Sequence, residues 1–254
     1  MINLKSTDEI ELMRRAGKIT AAARAMAGEM VTVGVTTREI DKAVYDFIIA
    51  QGATPAFLNY NGFPASVCIS VNEQVIHGIP GPVILKDGDI VSIDVGAVKD
   101  GYVGDCAATY IAGGGSEGAQ KLIEVTRQSF FEGIKFARVG YRVSDISRAV
   151  QEYVEKNGMS VVREYVGHGV GKRLHESPEV PNFVAKPRRG ADPRLLPGMT
   201  LAIEPMVNAG GAGVRVLKDG WTVVTADGSP SAHYENTILI TKGEPEILTV
   251  CEGA

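Results

Sequence analysis

One pattern occurs twice in the chain, and it restricts the fold more than any other feature. Leu85-Lys86-Asp87-Gly88-Asp89-Ile90-Val91-Ser92-Ile93-Asp94 and Leu195-Leu196-Pro197-Gly198-Met199-Thr200-Leu201-Ala202-Ile203-Glu204 each set a glycine turn before an apolar strand, with an acid six residues after the glycine. Each is followed by a Lys-Asp-Gly-aromatic turn, Lys99-Asp100-Gly101-Tyr102 and Lys218-Asp219-Gly220-Trp221. Asp-Gly is a strong hairpin signal. A glycine turn before a strand is common enough to recur by chance, but the matching acids argue for a true repeat. Two helical patterns precede the first copy and two more precede the second. The order helix, helix, strands therefore predicts an α+β chain. It has two pseudo-symmetric α/β lobes, roughly residues 1–112 and 113–254, in a single domain spanning 1–254.

The helices are read from caps and spacing. Ser6 with Glu9 fits a capping box, and Ile10, Met13, Ala16, Ala23 and Met26 follow at helical spacing. Residues 31–35 are β-rich. A second box, Thr36 with Glu39, opens a helix with Ile40, Val44, Phe47 and Ile48 on one face, stopping at Gly52. Residues 54–81 hold a Gly-, Pro- and Asn-rich loop with aromatics, then a strand at 66–71. Strands dominate 89–112, and helical patterns cover 117–137 and 143–157. Strands and loops fill the rest, including a surface loop at 182–197 and a strand run at 232–240.

Composition closes off several classes. The 254 residues are 44% hydrophobic and 22% charged, as expected of an ordinary soluble globule. Thirty acids against 26 Lys and Arg give a net charge of −4, which removes the general electrostatic case for DNA binding. Three cysteines with no CxxC suit a reducing cytosol and exclude a cysteine zinc cage. The N-terminus turns polar at once, unlike a signal peptide, and no run approaches the ~20 apolar residues of a membrane span. The expectation is a cytoplasmic protein with no membrane contact.

The acids carry the chemistry. Asp94 lies in Ser92-Ile93-Asp94-Val95-Gly96 and Asp105 in Tyr102-Val103-Gly104-Asp105-Cys106. A strand interior rarely buries a bare carboxylate, because stripping its water costs several kcal/mol unless a partner replaces it. The two are eleven residues apart. Across a hairpin with an even-numbered loop, that separation is expected to place them directly opposite on one face, with Cβ atoms ~5 Å apart. Carboxylates that close repel, so one protonates or a cation sits between them. A cation is the simpler answer; the alternative is that both merely cap turns. Glu204, before Pro205, has the same character and marks a strand end or edge. Glu235, in Ala232-His233-Tyr234-Glu235-Asn236-Thr237-Ile238, is weak evidence alone and a fourth candidate ligand beside the others.

His168 sits in Gly167-His168-Gly169-Val170-Gly171, whose glycines let the backbone approach closely and leave the ring accessible. His175 follows seven residues later. His77, in Val75-Ile76-His77-Gly78-Ile79-Pro80, is read as a polar ring in an apolar strand leading to a Gly/Pro turn. A lone histidine is more often structural than a ligand; here the flanking glycines and the second histidine favour a site. Asp94, Asp105, His168, Glu204 and Glu235 together make an oxygen-rich set without thiolate. Such a set suits a pair of divalent ions such as Mn, Fe(II) or Co rather than tetrahedral structural zinc.

These residues resemble the bacterial type I methionine aminopeptidases, of the pita-bread fold, over nearly the whole chain. The resemblance rests on Val67-Cys68-Ile69-Ser70-Val71-Asn72-Glu73, His77-Gly78-Ile79-Pro80, Asp94 with Asp105, Gly167-His168-Gly169-Val170-Gly171, Ile203-Glu204-Pro205-Met206, and Tyr234-Glu235. It implies a curved antiparallel sheet between the lobes and removal of the initiator methionine from nascent chains with a small second residue. The attacking group implied is a hydroxide held by two metal ions. Asp94 would chelate one ion, Asp105 and Glu235 would bridge both, and His168 and Glu204 would complete one of them. His77, His175 and Glu204 would be catalytic: the histidines bond the substrate, and Glu204 moves the proton from water to the leaving amine. The methionine pocket would comprise Phe57, Tyr60, Phe63, Cys68, Leu174 and Trp221. A monovalent cation is implied near Asn72, Gln74 and Ser231. The short span from His168 to Glu204 leaves no room for the type II insertion, and the start at the first helix no zinc-finger extension.

Three departures stand out. Leu174 replaces a frequent Phe, Phe57 a small residue or Cys, and His233 an expected amide; the 182–197 loop is also somewhat long. Two residues before Glu235 on a strand, His233 would face the same side and tune the site. A proline-specific peptidase of the same fold usually carries a large N-terminal domain, and a non-catalytic module typically loses metal ligands. Both fit less well. The expected partners are nascent N-termini met by a monomer. A basic rim of Lys172, Arg173, Lys186, Arg188, Arg189 and Arg194 is a candidate ribosome contact, with a solvated loop as the plainer reading.

Overall fold

A computed structural model describes residues 2–184 and 192–251. Helix α1 (Thr7–Glu29) opens with the expected reciprocal pair: the Ser6 hydroxyl accepts the Glu9 N–H, and the Glu9 carboxylate accepts the Ser6 N–H. Thr36 and Glu39 do the same for α2 (Thr37–Ala50). Each box satisfies two N–H groups that a helix start leaves unpaired. The 31–35 segment makes turns, its Gly34 N–H donating to Leu85 O. Strands β1 (Thr54–Pro55), β2 (Val67–Val71), β3 (Gln74–Ile76), β4 (Ile90–Lys99) and β5 (Tyr102–Ile111) follow, then helices α3 (Glu117–Ile134) and α4 (Val143–Lys156). The rest is β6 (Ser160–Val161), β7 (Gly167–Gly169), β8 (Glu176–Val180), β9 (Thr200–Ile203), β10 (Met206–Asn208), β11 (Val214–Val216), β12 (Val223–Thr225), β13 (Ser231–His233), β14 (Asn236–Leu239) and β15 (Glu246–Ile247).

Strand β4 organises the first half. β1 and β2 share one of its edges and β5 takes the other, all antiparallel. Its Val91, Ile93, Val95 and Ala97 join Ile40, Val44 and Ile48 of α2 and Ala23 and Ala27 of α1 in one core. Alternation then sends Ser92, Asp94 and Gly96 to the opposite face. The second half repeats the plan. Phe130 of α3 and Ile146 and Val150 of α4 pack on Leu201, Ile203, Val207, Ala232 and Ile238. Those strands belong to the sheets β15-β14-β9-β7-β8 and β13-β10-β6. The halves also interleave, since β3 pairs with β12 in the sheet β11-β12-β3.

The halves meet along a short seam. Ala107 and Glu235 exchange both backbone hydrogen bonds, at 3.2 and 2.9 Å. On either side the chains part, and a threonine hydroxyl fills each gap. Thr237 Oγ1 accepts the Asp105 N–H and donates to Asp105 O; Thr109 Oγ1 accepts the His233 N–H and donates to His233 O. From α1, Arg24 donates to Glu235 O at 3.2 Å.

Two expectations are corrected here. The turn between β4 and β5 is the two residues Asp100 (φ 51°) and Gly101 (φ 80°), which pairs Lys99 with Tyr102. That register sets Asp94 opposite Ala107 and Asp105 opposite Gly96. The acids share a face but sit diagonally, not directly opposite. Nor is 232–240 one strand. It splits into β13, paired with β10, and β14, paired with β9, with Tyr234 and Glu235 at the break. Glu204 and Pro205 occupy the matching break between β9 and β10.

Candidate metal centre

The seam and the two strand breaks bring four carboxyl groups and an imidazole to one cavity of about 220 Å³. Asp94 enters from β4, Asp105 from β5 and His168 from β7, while Glu204 and Glu235 enter from the two breaks. Asp105, His168 and Glu235 present ligand atoms all within 4.8 Å of one another. His168 Nε2 lies 3.4 Å from Glu204 Oε1 and 3.6 Å from Asp105 Oδ2. Gly167 and Gly169 serve a purpose other than exposure. A Cβ at either would strike a neighbouring carbonyl, that of Ala202 or of Ser177, and the ring between them is only 7% exposed. Opposite Asp105, Gly96 leaves room for the Phe57 ring, which a Cβ there would meet at 2.6 Å.

The electrostatics are those of a set lacking a counter-charge. Burial raises the Asp94 pKa to about 7. Burial first, and repulsion from the neighbouring acids second, push Asp105, Glu204 and Glu235 well above the carboxylate range. Burial lowers His168 to about 4, so its ring is neutral. Its Nδ1 lies 2.9 Å from Gly169 O, which can only accept, so Nδ1 carries the proton and Nε2 aims a lone pair at two carboxylate oxygens. Asp94 Oδ1, Asp105 Oδ1 and Glu235 Oε1 are buried without a hydrogen-bond partner. Among the described residues no lysine or arginine lines the cavity. Lone pairs converging with no donor between them fit a cation, and four carboxyl groups with one imidazole fit a divalent metal ion.

The rest of the cavity is apolar. Phe57, Tyr60, Phe63, Cys68, Leu174 and Trp221 all line it, as do His77 and His175. Phe63 and Trp221 meet edge to face at 5.2 Å. Cys68 faces Asp94 across the β2–β4 pair, and burial raises its thiol pKa far above the usual range. His77 departs from expectation. It follows β3 rather than lying in it, at φ 57°, with its ring edge-on to Tyr165 at 5.7 Å and Trp221 at 6.3 Å. Burial lowers its pKa to about 4 and that of His175 below the usual value. Tyr60 Oη lies 2.8 Å from His175 Nδ1. Asn61, Ile76, Tyr165 and Val166 also line the cavity and were not foreseen; Tyr165, three residues before His168, is the one a scan for aromatics near the glycine-flanked histidine finds.

His233 is fully enclosed, with both ring nitrogens unpartnered and Nε2 3.8 Å from Glu204 Oε2; it is close to Glu204 but does not line the cavity. Asn72, Gln74 and Ser231 do cluster. The Ser231 N–H donates to Asn72 O, and Gln74 Oε1 accepts the Val71 N–H. Of the basic rim, Lys186, Arg188 and Arg189 lie outside the described residues. Lys172 sits 3.7 Å from Glu9, and Arg173 lines a groove that shares His168 and His175 with the cavity. Among the described residues no helix is long and apolar enough to cross a membrane.

Known proteins resemble the chain over nearly its whole length. The family model described as metallopeptidase family M24 matches residues 11–242. The methionine aminopeptidase of Clostridium perfringens is 57% identical over 250 residues, covering 98% of this chain and 99% of its own. Methionine aminopeptidase 1 of Bacillus subtilis is 52% identical over 98% of this chain and 99% of its own. The crystal structure of methionine aminopeptidase from Thermotoga maritima superposes with a TM-score of 0.94 at 46% identity, covering 98% of this chain and 99% of that one. By family match, identity and fold alike, the chain belongs to the M24 metallopeptidases, among their methionine aminopeptidases.

Proposed function

We propose that the protein removes the initiator methionine from nascent polypeptides whose second residue is small. The observation that carries this reading is the meeting, in one cavity, of aromatic and aliphatic side chains and a carboxylate–imidazole cluster without a counter-charge. An unbranched thioether fits such a pocket and gains from contact with Phe57, Phe63 and Trp221. The free N-terminus would lie against Asp94 and Glu235, which restricts cleavage to the first peptide bond.

Asp94, Asp105, His168, Glu204 and Glu235 would hold two divalent ions. Bound there, Mn, Fe(II) or Co supplies an acidified water and a polarised carbonyl near neutral pH. The side chains do the rest. Glu204, at the strand break beside His168, would take the proton of the attacking water and deliver it to the leaving amine. His77 and His175 donate hydrogen bonds to the substrate and to the oxygen that gains charge. A cramped site for the second residue would exclude a large side chain there. In the cell we propose a cytoplasmic monomer with a monovalent cation beside Asn72, Gln74 and Ser231; the basic rim is a candidate ribosome contact, with a solvated loop as the plainer reading.

The test is a peptide panel with protein prepared anaerobically and loaded with each metal in turn. Met-Ala-Ser should release methionine about 10–100-fold faster than Met-Leu-Ser, and Ala-Pro should be inert. Absence of methionine release with every metal, or faster turnover of Ala-Pro, overturns the reading.

A further inference from the structure

Tyr60 lines the methionine pocket, yet its hydroxyl does something an apolar pocket does not need. It sits 2.8 Å from Nδ1 of His175, a residue 115 positions away in the chain and on the other half of the molecule. The rings are tilted 45° with centroids 5.3 Å apart, so they do not stack face to face and the hydroxyl–nitrogen contact is the polar link between them. Tyr60 is held for this. Asn59 (φ 64°) and Asn61 (φ 50°) flank it in the left-handed region, which asparagine enters more readily than other non-glycine residues, and set a tight turn at Tyr60. Asn59 N–H to Phe63 O and Phe63 N–H to Tyr60 O close the turn around it.

A phenol O–H is a strong donor with weak acceptor lone pairs, whereas an unprotonated imidazole nitrogen is a strong acceptor. The favoured arrangement is therefore Tyr60 O–H donating to Nδ1. The partner of one ring nitrogen decides which nitrogen carries the proton. We propose that Tyr60 is a positioning residue that holds His175 as its Nε2–H tautomer, so that His175 meets the substrate's first peptide oxygen as a donor. His168 shows the converse. Its Nδ1 donates to Gly169 O, which leaves Nε2 as a lone pair facing Asp105 and Glu204. The two imidazoles are 4.2 Å apart at their centroids and are locked in opposite tautomers, one suited to a cation and one to an oxygen. A carbonyl beside one ring and a tyrosine beside the other make the difference.

The tautomer stands on the geometry alone, while its use toward substrate rests on the methionine-removing reading; the experiment separates them. The chain has four histidines, so two-bond proton–nitrogen spectra of protein labelled with nitrogen-15 histidine can be assigned by single substitutions such as His175→Gln. Metal-free and zinc-loaded wild-type protein should show His175 protonated on Nε2, and zinc-loaded protein should show His168 protonated on Nδ1. In Tyr60→Phe, His175 should become a mixture of tautomers. Its kcat on Met-Ala-Ser should fall roughly 10–100-fold, the range typical when an orienting partner is removed, with KM held within about twofold. Wild-type His175 protonated on Nδ1 overturns the proposal, and so does Tyr60→Phe with an unchanged tautomer. Should Tyr60→Phe fail to fold, the wild-type spectrum decides alone. Should wild-type protein never cleave Met-Ala-Ser, the function reading falls while the spectrum still judges the tautomer.

Discussion

The two halves of the molecule deliver acids to the same cavity by different means. Asp94 and Asp105 project from an unbroken hairpin of two ten-residue strands, where alternation alone aims them. Glu204 and Glu235 stand where strands stop and the chain moves from one sheet to another. Side-chain length follows from this. A hairpin interior brings the backbone close to the cavity and needs the short aspartate, whereas a corner stands further off and needs the extra methylene of glutamate. The corners also need their loose backbone groups satisfied. Asn182 donates to Glu204 O and the Tyr234 N–H to Pro205 O, while the hairpin relies on its own ladder together with the seam contacts of Glu235 and Thr237.

The largest expected effect tests that difference by changing side-chain length without changing charge. In Asp105→Glu the extra methylene has nowhere to go, since Gly96 opposite is already filled by Phe57 and Thr237 pins the Asp105 backbone from behind. Turnover of Met-Ala-Ser should fall roughly 10³-fold, as for Asp105→Asn, because Lewis-acid catalysis needs the ligand in place. Glu204→Asp sits beside a proline with no N–H, on a corner with fewer backbone ties. It should keep within roughly 10–100-fold of wild type. Metal titration by calorimetry alongside kcat/KM checks both. Equal losses would mean the corner is as rigid as the hairpin.

This contrast also marks what could be seen from residues alone. A carboxylate among Ser92, Ile93 and Val95 advertises itself, because an unpaired buried charge is expensive whatever the fold around it. The capping boxes at Ser6 and Thr36 are equally local. The register of Asp94 against Asp105 is not local: parity puts them on one face, but the two-residue offset depends on Asp100 and Gly101 taking the turn. The corner at Glu235 hides for the opposite reason. Alternation runs unbroken from Ala232 to Ile240, and nothing short-range reports that β13 and β14 have different partners. Pro205 flags only one of the two corners. His77 looks like a strand residue because Val75 and Ile76 are, and its positive φ leaves no trace in composition. Contacts such as Tyr60 with His175 join distant segments, so one sequence carries no signal of them.

A second effect separates the hairpin acids by their proton linkage. The folded Asp94 pKa, about 7, lies above its ordinary 3.8, so the folded metal-free protein holds a proton that the unfolded chain has released. Stability from this group is fully present below about pH 4 and is lost as pH rises through about 7. The buried histidines act in the opposite sense below 6.5, so total stability is a poor readout and a difference is better. The Tm of metal-free Asp94→Asn minus that of wild type should grow from pH 4 to pH 7 and level off above. A gap of a few kcal/mol corresponds to roughly 2–4 °C for each. Bound metal should close the gap or reverse it. A pH-independent gap would show that Asp94 is ionised throughout.

The seam offers a smaller and more selective probe. Thr109 and Thr237 are near mirror images, each joining one N–H and one C=O across the halves. Replacing either by valine strands both groups, at a cost of about 1–3 kcal/mol, seen as a lower denaturant midpoint. Only Thr237 grips an acid of the cavity. Thr237→Val should therefore also weaken metal binding, while Thr109→Val, which grips His233, should leave it unchanged. Equal metal affinities in the two variants would mean that the ladder, not the seam, fixes Asp105.

The smallest effects belong to the devices that set each geometry. Gly101 holds φ 80° in the hairpin turn, so Gly101→Ala should cost about 1 kcal/mol through strain alone. Pro205 has no N–H with which to carry β9 past Glu204, and its carbonyl already serves Tyr234. Pro205→Ala adds a donor and backbone freedom at the corner, worth about 0.5–1 kcal/mol by urea titration. Stability barely distinguishes the two, but metal affinity does. Slack at Gly101 is seven residues from Asp94 and four from Asp105 and is absorbed by the ladder, whereas slack at the corner passes directly to Glu204, its neighbour in the chain. Pro205→Ala should therefore lose metal affinity and Gly101→Ala should not; the reverse order would mean that the turn, through register, controls the cavity more tightly than the corner does.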